Sequence, residues 1–177
     1  EGITQLSLAG KTVPAQNTDQ YRGLLAELTG LKTLDLSDTG IDATLFGGLV
    51  NLSLTSLDLS GNEELTDLGG LLLTTGSSQT STTVAQSLET LDISNTGVTN
   101  LNFLWNSSTS AASVPNLTSL TAKGLALTSV AGLVQVAEAD DFDAEAATVD
   151  LSGSTLTDTE ETRGHLQRLE AVLGDTA

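Results

Sequence analysis

Six short segments of this 177-residue chain carry one pattern, with aliphatic residues at its first, fourth, sixth and eleventh positions and a turn residue at the ninth. The copies run Ile3-Leu6-Leu8 with Lys11 and Val13, Leu31-Leu34-Leu36 with Thr39 and Ile41, and Leu54-Leu57-Leu59 with Asn62 and Leu65. They continue with Leu88-Leu91-Ile93 (Thr96, Val98), Leu117-Leu120-Ala122 (Leu125, Leu127) and Ala146-Val149-Leu151 (Ser154, Leu156). The third copy holds one extra residue, Glu63-Glu64 standing where the others have one. Measured at the fourth position, the intervals are 28, 23, 34, 29 and 29 residues. A unit that recurs at this spacing cannot bury its own apolar side; it stacks on its neighbours, and three or more copies make a continuous core.

Within each copy the L-x-L core alternates apolar and polar residues, the period of a short strand with one buried face. A small polar residue at the following turn bonds backbone groups that the bending chain takes out of the ladder. Thr39, Asn62, Thr96 and Ser154 fit that task. Lys11 and Leu125 do not, so the first and fifth turns are expected to be less regular.

A second apolar pattern marks the return segments: Leu65, Leu68 and Leu71; Val98, Leu101 and Leu104; Leu127, Val130 and Leu133. With these, the chain resembles the leucine-rich repeat family, and more narrowly the internalin-type repeats of bacterial surface proteins. Its intervals are longer and less even than in internalins, and no internalin cap or anchor is recognisable. The resemblance implies an α/β solenoid: a curved parallel sheet of about six strands on the concave face and an irregular or helical convex side. The repeats begin near residues 3, 31, 54, 88, 117 and 146, and residues 1–177 are read as a single domain.

Composition agrees with an aliphatic, stacked core. Hydrophobic residues make up 38% of the chain, with only one Trp, one Tyr and three Phe, so leucine does the packing, each buried side chain contributing roughly 1.5–3 kcal/mol. Cysteine is absent, which excludes a disulfide framework and thiol chemistry. No run approaches the length of a membrane span, and no signal peptide or lipid motif is visible. The chain begins at Glu1 and contains no methionine, which points to a processing boundary. The first strand then lacks an obvious cover, and an open edge invites pairing with another strand.

Between the strands, Asn17 or Thr18 is placed to cap a helix of about three turns carrying Leu24, Leu25 and Leu28, ended by Gly30. The runs 74–83 and 106–113 have loop composition, with Trp105 expected to pack beneath the second. Past the last repeat, Leu166, Leu169, Val172 and Leu173 share one helical face. This helix, about 158–173, has capping-box spacing at Thr157 and Glu160, is stopped by Gly174, and is expected to cover the open end of the core.

Catalysis needs positioned acids, bases or nucleophiles. The single histidine, His165, reads as a solvated helical residue, and neither a zinc pattern nor a phosphate-binding glycine loop is present; no enzyme and no cofactor are expected. Five carboxylates lie within residues 138–145, where Asp140, Asp141 and Asp143 offer a weak Ca²⁺ possibility. Sequons occur at Asn51, Asn106 and Asn116 and are read as chance.

Charge is the other informative feature. With 23 acids against 6 bases, net −17, the field of the molecule opposes nucleic acid and anionic lipid. Projected onto stacked strands, the residue between the two inward leucines faces outward and reads Ser7, Asp35, Asp58, Asp92, Thr121, Asp150 down the stack. Neighbouring strands about 4.8 Å apart place like charges where they repel by roughly 1 kcal/mol in water. Thr33, Ser56 and Thr90 flank the aspartates on one side, and Ser37, Ser60 and Ser94 on the other. Asp35, Asp58, Asp92 and Asp150 with those six hydroxyl residues form the candidate binding face.

The sequence therefore suggests a non-catalytic binding module of a bacterial surface or secreted protein, extracellular and monomeric, recognising a protein or glycan through its concave face. The competing reading is a structural spacer or assembly block with end-to-end contact through the first strand, its acidic excess then being an adaptation to salt.

Overall fold

The computed structural model describes residues 2–73, 84–139 and 142–173. In chain order the strands are β1 (Gln5–Ser7), β2 (Thr33–Asp35), β3 (Ser56–Asp58), β4 (Thr90–Asp92), β5 (Trp105–Asn106), β6 (Ala111–Ala112), β7 (Ser119–Thr121), β8 (Ala126–Leu127), β9 (Thr148–Asp150) and β10 (Thr155–Leu156). The α-helices are α1 (Thr18–Ala26), α2 (Val84–Ser87), α3 (Ala131–Ala137) and α4 (Glu160–Leu173). Six strands form one parallel sheet in the order β1-β2-β3-β4-β7-β9. Its register runs through the repeat leucines, Leu6 beside Leu34, then Leu57, Leu91, Leu120 and Val149. The chain is thus a solenoid of six coils, as the repeat spacing requires.

Each coil turns inward its two strand leucines and its return-segment aliphatics. Leu34, Leu36, Leu57, Leu59, Leu91 and Ile93 are buried, and so are Leu65, Leu68 and Leu71 on the opposite wall. That wall is built from short elements: 3-10 turns at Ala43–Gly48, Gly69–Leu72 and Asn102–Leu104, and helix α3. The buried side chains form one cluster running the length of the stack.

The second and fifth turns are held by a side chain reaching back from the next coil, while Thr39 and Thr96 donate within their own coils to Leu36 O (2.7 Å) and Ile93 O (2.8 Å). Asn62, with no exposed surface, donates through Nδ2 to the carbonyls of Leu36 (2.9 Å) and Leu59 (2.7 Å). Its Oδ1 accepts the amides of Thr39, Gly40 and Ile41 at 2.8–3.2 Å. Ser154 does the same one coil from the end, its hydroxyl donating to Ala122 O (2.7 Å) and accepting Leu125 N–H (2.9 Å). The fifth turn is therefore held as the second is, correcting the expectation drawn from Leu125: the side chain that closes it comes from the next coil. The first turn also keeps the common geometry. In all six coils the third residue after the outward strand position adopts a left-handed conformation, with φ from +53° to +72°, at Gly10, Asp38, Gly61, Asn95, Gly124 and Gly153. Glycine, aspartate and asparagine tolerate it best.

Other expectations shift locally. Helix α1 forms, but a 3-10 turn (Ala15–Asn17) precedes it and Asn17 makes no side-chain cap bond; Leu25 is buried whereas Leu24 is 66% exposed. The loop expected at 106–113 contains a small antiparallel hairpin, β5 with β6, and Trp105 is half-buried at its base. Helix α4 begins at Glu160, and its capping box is Thr159 with Thr162, two residues past the expected pair: Thr159 Oγ1 accepts Thr162 N–H (3.1 Å) and Thr162 Oγ1 accepts Thr159 N–H (2.9 Å). Helix α4 covers part of the core's end, with Leu169 in the core and Val172 and Leu173 packed against it, and it also packs against α3, where Arg168 donates to Glu138 (2.6 Å). His165 is half-buried, with Nδ1 enclosed and without a hydrogen-bond partner among the described residues, not solvated. The run 74–83 and Gly174 lie outside the described residues.

Candidate functional site

The outward column falls into register as its spacing demands: Ser7 beside Asp35, then Asp58, Asp92, Thr121 and Asp150. Gln5, Thr33, Ser56, Thr90, Ser119 and Thr148 form a parallel column beside it. The aspartates, with Thr33 and Ser56, are half-buried and Thr90 is exposed.

Each aspartate also ends its own strand. Oδ1 of Asp35, Asp58, Asp92 and Asp150 accepts the amide two residues on, from Ser37 (3.0 Å), Ser60 (2.9 Å), Ser94 (2.8 Å) and Ser152 (3.0 Å). The hydroxyls of Ser37 and Ser60 add 2.7 Å bonds to the same oxygens. The D-x-S step is thus an Asx turn, which fixes each carboxylate with its other oxygen, Oδ2, directed away from the turn amide. The serines consequently play a different part from the one expected. Ser37 and Ser60 are spent on the aspartates, and Ser94 is only 6% exposed, its hydroxyl accepting Lys123 N–H at 3.1 Å. They orient the acids instead of offering free hydroxyls.

At the column's ends both carboxylate oxygens are bonded, whereas in its middle only Oδ1 is, although the charge of Lys123 also acts on Asp92. Asp35 Oδ2 accepts the Ser7 hydroxyl (2.8 Å). Partial burial alone would raise the Asp35 pKa, but the bonds from Ser37 and Ser7 outweigh it and hold the carboxyl below its ordinary value. Asp150 Oδ2 meets Lys123 Nζ at 2.9 Å, and this bond, with those from Ser152, depresses its pKa from 3.8 to about 2. No bond to Oδ2 of Asp58 or Asp92 is present among the described residues. Lys123→Gln is expected to return the Asp150 carboxyl toward 3.8, read by carbon NMR through an acid titration. Because the folded value is the depressed one, whatever stability the pair adds is full above the ordinary carboxylate pKa and lost as pH falls through about 2.

Among the described residues no group of three or more His, Asp or Glu side chains is placed to hold a metal ion. The Ca²⁺ expectation rests partly on Asp140 and Asp141, which lie outside the described residues. Asp143 is exposed and accepts the amides of Glu145 (3.1 Å) and Ala146 (3.2 Å).

A leucine-rich repeat family model matches residues 50–73, the third coil and its return segment. No curated protein sequence matches the chain. Among solved structures it is similar to internalin C2 of Listeria monocytogenes, at 15% identity and a TM-score of 0.43, over 97% of this chain and 78% of that one. It is also similar to an internalin, InlF, of the same organism, at 18% identity and a TM-score of 0.31, over 97% of this chain and 58% of that one. Among the described residues no helix is long and apolar enough to cross a membrane.

Proposed function

We propose that this solenoid of leucine-rich coils is a non-catalytic binding module whose open sheet face takes a basic protein segment. The observation that carries this is the central pair, Asp58 and Asp92, held one rung apart by their turn bonds and without a bond to either outward oxygen among the described residues. The face around them is made of threonine and serine with no aromatic anchor, so recognition rests on charge and hydrogen bonding and not on apolar burial. The setting is a bacterial surface or secreted protein, in keeping with the internalin-type pattern of its repeats.

Asparagine substitution separates the two jobs of each acid, since an amide oxygen still accepts the serine N–H while the charge is gone. The double substitution Asp58→Asn with Asp92→Asn is expected to leave the melting temperature within a few degrees and to weaken capture of a Lys/Arg-rich peptide by about tenfold at low ionic strength. The wild-type affinity is expected to fall as salt rises. Binding that ignores both salt and substitution places the site elsewhere.

A further inference from the structure

Each coil hands the same three backbone groups to the next strand. Between the fifth and sixth coils, Ala122 N–H donates to Asp150 O (2.8 Å), Gly124 N–H donates to Ser152 O (3.2 Å), and Thr118 O accepts Thr148 N–H (2.7 Å). The same three bonds recur between every earlier pair of coils, beginning with Leu8 N–H to Asp35 O, Gly10 N–H to Ser37 O, and Thr4 O accepting Thr33 N–H. In the sixth coil the corresponding groups are Leu151 N–H, Gly153 N–H and Ala147 O, and none has a partner among the described residues. The apolar interior is open at the same place: a groove of about 490 Å³ lies between β9 and α4, lined by Val149, Leu151, Leu156, Leu166 and Leu169, with Glu170 among its lining residues. Val149 and Leu151 are half-buried, where Leu120 and Ala122, one coil earlier, are fully buried.

The opposite end of the molecule is its complement. Strand β1 pairs only with β2 among the described residues, leaving the Gln5 amide and the carbonyls of Ser7 and Ala9, the groups that answer to Ala147, Leu151 and Gly153 in the repeating ladder. Ile3 is 54% exposed there and Leu6 is half-buried. The residue that would stand beside Asp150 is Ser7, the first-coil member of the column that is not an acid, so the joint adds no carboxylate to carboxylate contact. Lys11 occupies the position from which Asn62 and Ser154 reach back to the preceding coil, bringing a positive charge to an end that carries Glu170.

We propose that the sixth-coil edge and its groove are an interface for the first coil of a second copy of this chain, which adds β1 to β9 as a seventh parallel strand. The contact is heterologous, the two surfaces differ, and nothing closes it, so it builds an open head-to-tail series. It leaves the sheet face free and carries the aspartate columns of successive copies on in one line. Each copy bears a net charge of −17, which opposes joining at low ionic strength and is screened by salt.

Sedimentation velocity on the whole chain tests this. The average mass is expected to rise with concentration and with salt up to about 1 M, without levelling off at a dimer. Ile3→Asp and Leu166→Asp alter exposed side chains at opposite ends, and each alone is expected to weaken association at least about tenfold, with circular dichroism melts confirming that each folds. Mixed one to one, the two variants each retain one intact end and are expected to form a heterodimer that grows no further. A chain that stays monomeric at every concentration and salt, a closed dimer, or a mixture that fails to associate overturns the proposal. None of these outcomes bears on binding at Asp58 and Asp92, which lie away from both ends.

Discussion

Replacing Asn62 by leucine lowers the stability of the fold by about 3–5 kcal/mol, read from the denaturant midpoint at constant slope. Size is nearly conserved, so the effect is one of polar groups. Asn62 is fully buried, and its removal strands three amides, on Thr39, Gly40 and Ile41, and the carbonyl of Leu59, while Leu36 O keeps its bond from the Thr39 hydroxyl (2.7 Å). Each buried group left unpaired costs about 1–3 kcal/mol, partly recovered by relaxation. A carboxylate in place of the amide would keep the acceptor but lose both Nδ2 bonds and bury a charge, so Asn62→Asp is expected to be no milder. Were Asn62→Leu neutral, the second turn would be held by something other than this side chain.

The second large effect comes from Gly132, at the start of α3. A Cβ there would stand 2.3 Å from Leu101 O and 2.8 Å from Asn102 Cα, both backbone atoms of the coil before. They cannot swing aside as a side chain would, so Gly132→Ala forces α3 off the wall and costs about 3 kcal/mol. Gly23, in α1, has nothing within 4 Å of its would-be Cβ, and Gly23→Ala is expected to stabilise by about 0.5–1 kcal/mol through helix propensity alone. Opposite signs for the same substitution, measured in thermal or urea unfolding, separate close approach of backbones from a general effect of glycine.

The sheet was legible because its signal is local and repeated: L-x-L fixes which side chains point in, and the phase of Leu34, Leu57 and Leu91 fixes the rungs. That reading also placed Asp35, Asp58 and Asp92 side by side. The turn chemistry was half visible. Asn62 and Ser154 stood out by residue type, but which coil each one serves depends on contacts 21–32 residues away, and Leu125 misled for that reason. The left-handed position carried a signal in Gly10, Gly61, Gly124 and Gly153, hidden at Asp38 and Asn95 because those residues have many other uses. In the sequence the D-x-S step shows only that acids and hydroxyls face water; the serine amides on the aspartate oxygens give it a second role. The start of α1 was read at the right place, Asn17 preceding Thr18 although its side chain makes no cap bond; that of α4 went astray because several threonines stood near it, and Thr159 with Thr162 won over Thr157 with Glu160 by a geometry that composition does not encode. The half-buried state of His165 had no sequence signal beyond its place on α4.

All six L-x-L segments are rungs of one ladder in register, and the alignment of the carboxylates depends on it. The chain has no cysteine, so Gln5→Cys with Thr148→Cys introduces two spin-label sites at the exposed ends of one column. Five strand spacings separate them, and electron–electron distance measurement is predicted to give a narrow distribution centred at roughly 24 Å. A broad distribution, or one centred beyond about 40 Å, contradicts the single in-register ladder, and with it the shared face on which the carboxylates are aligned.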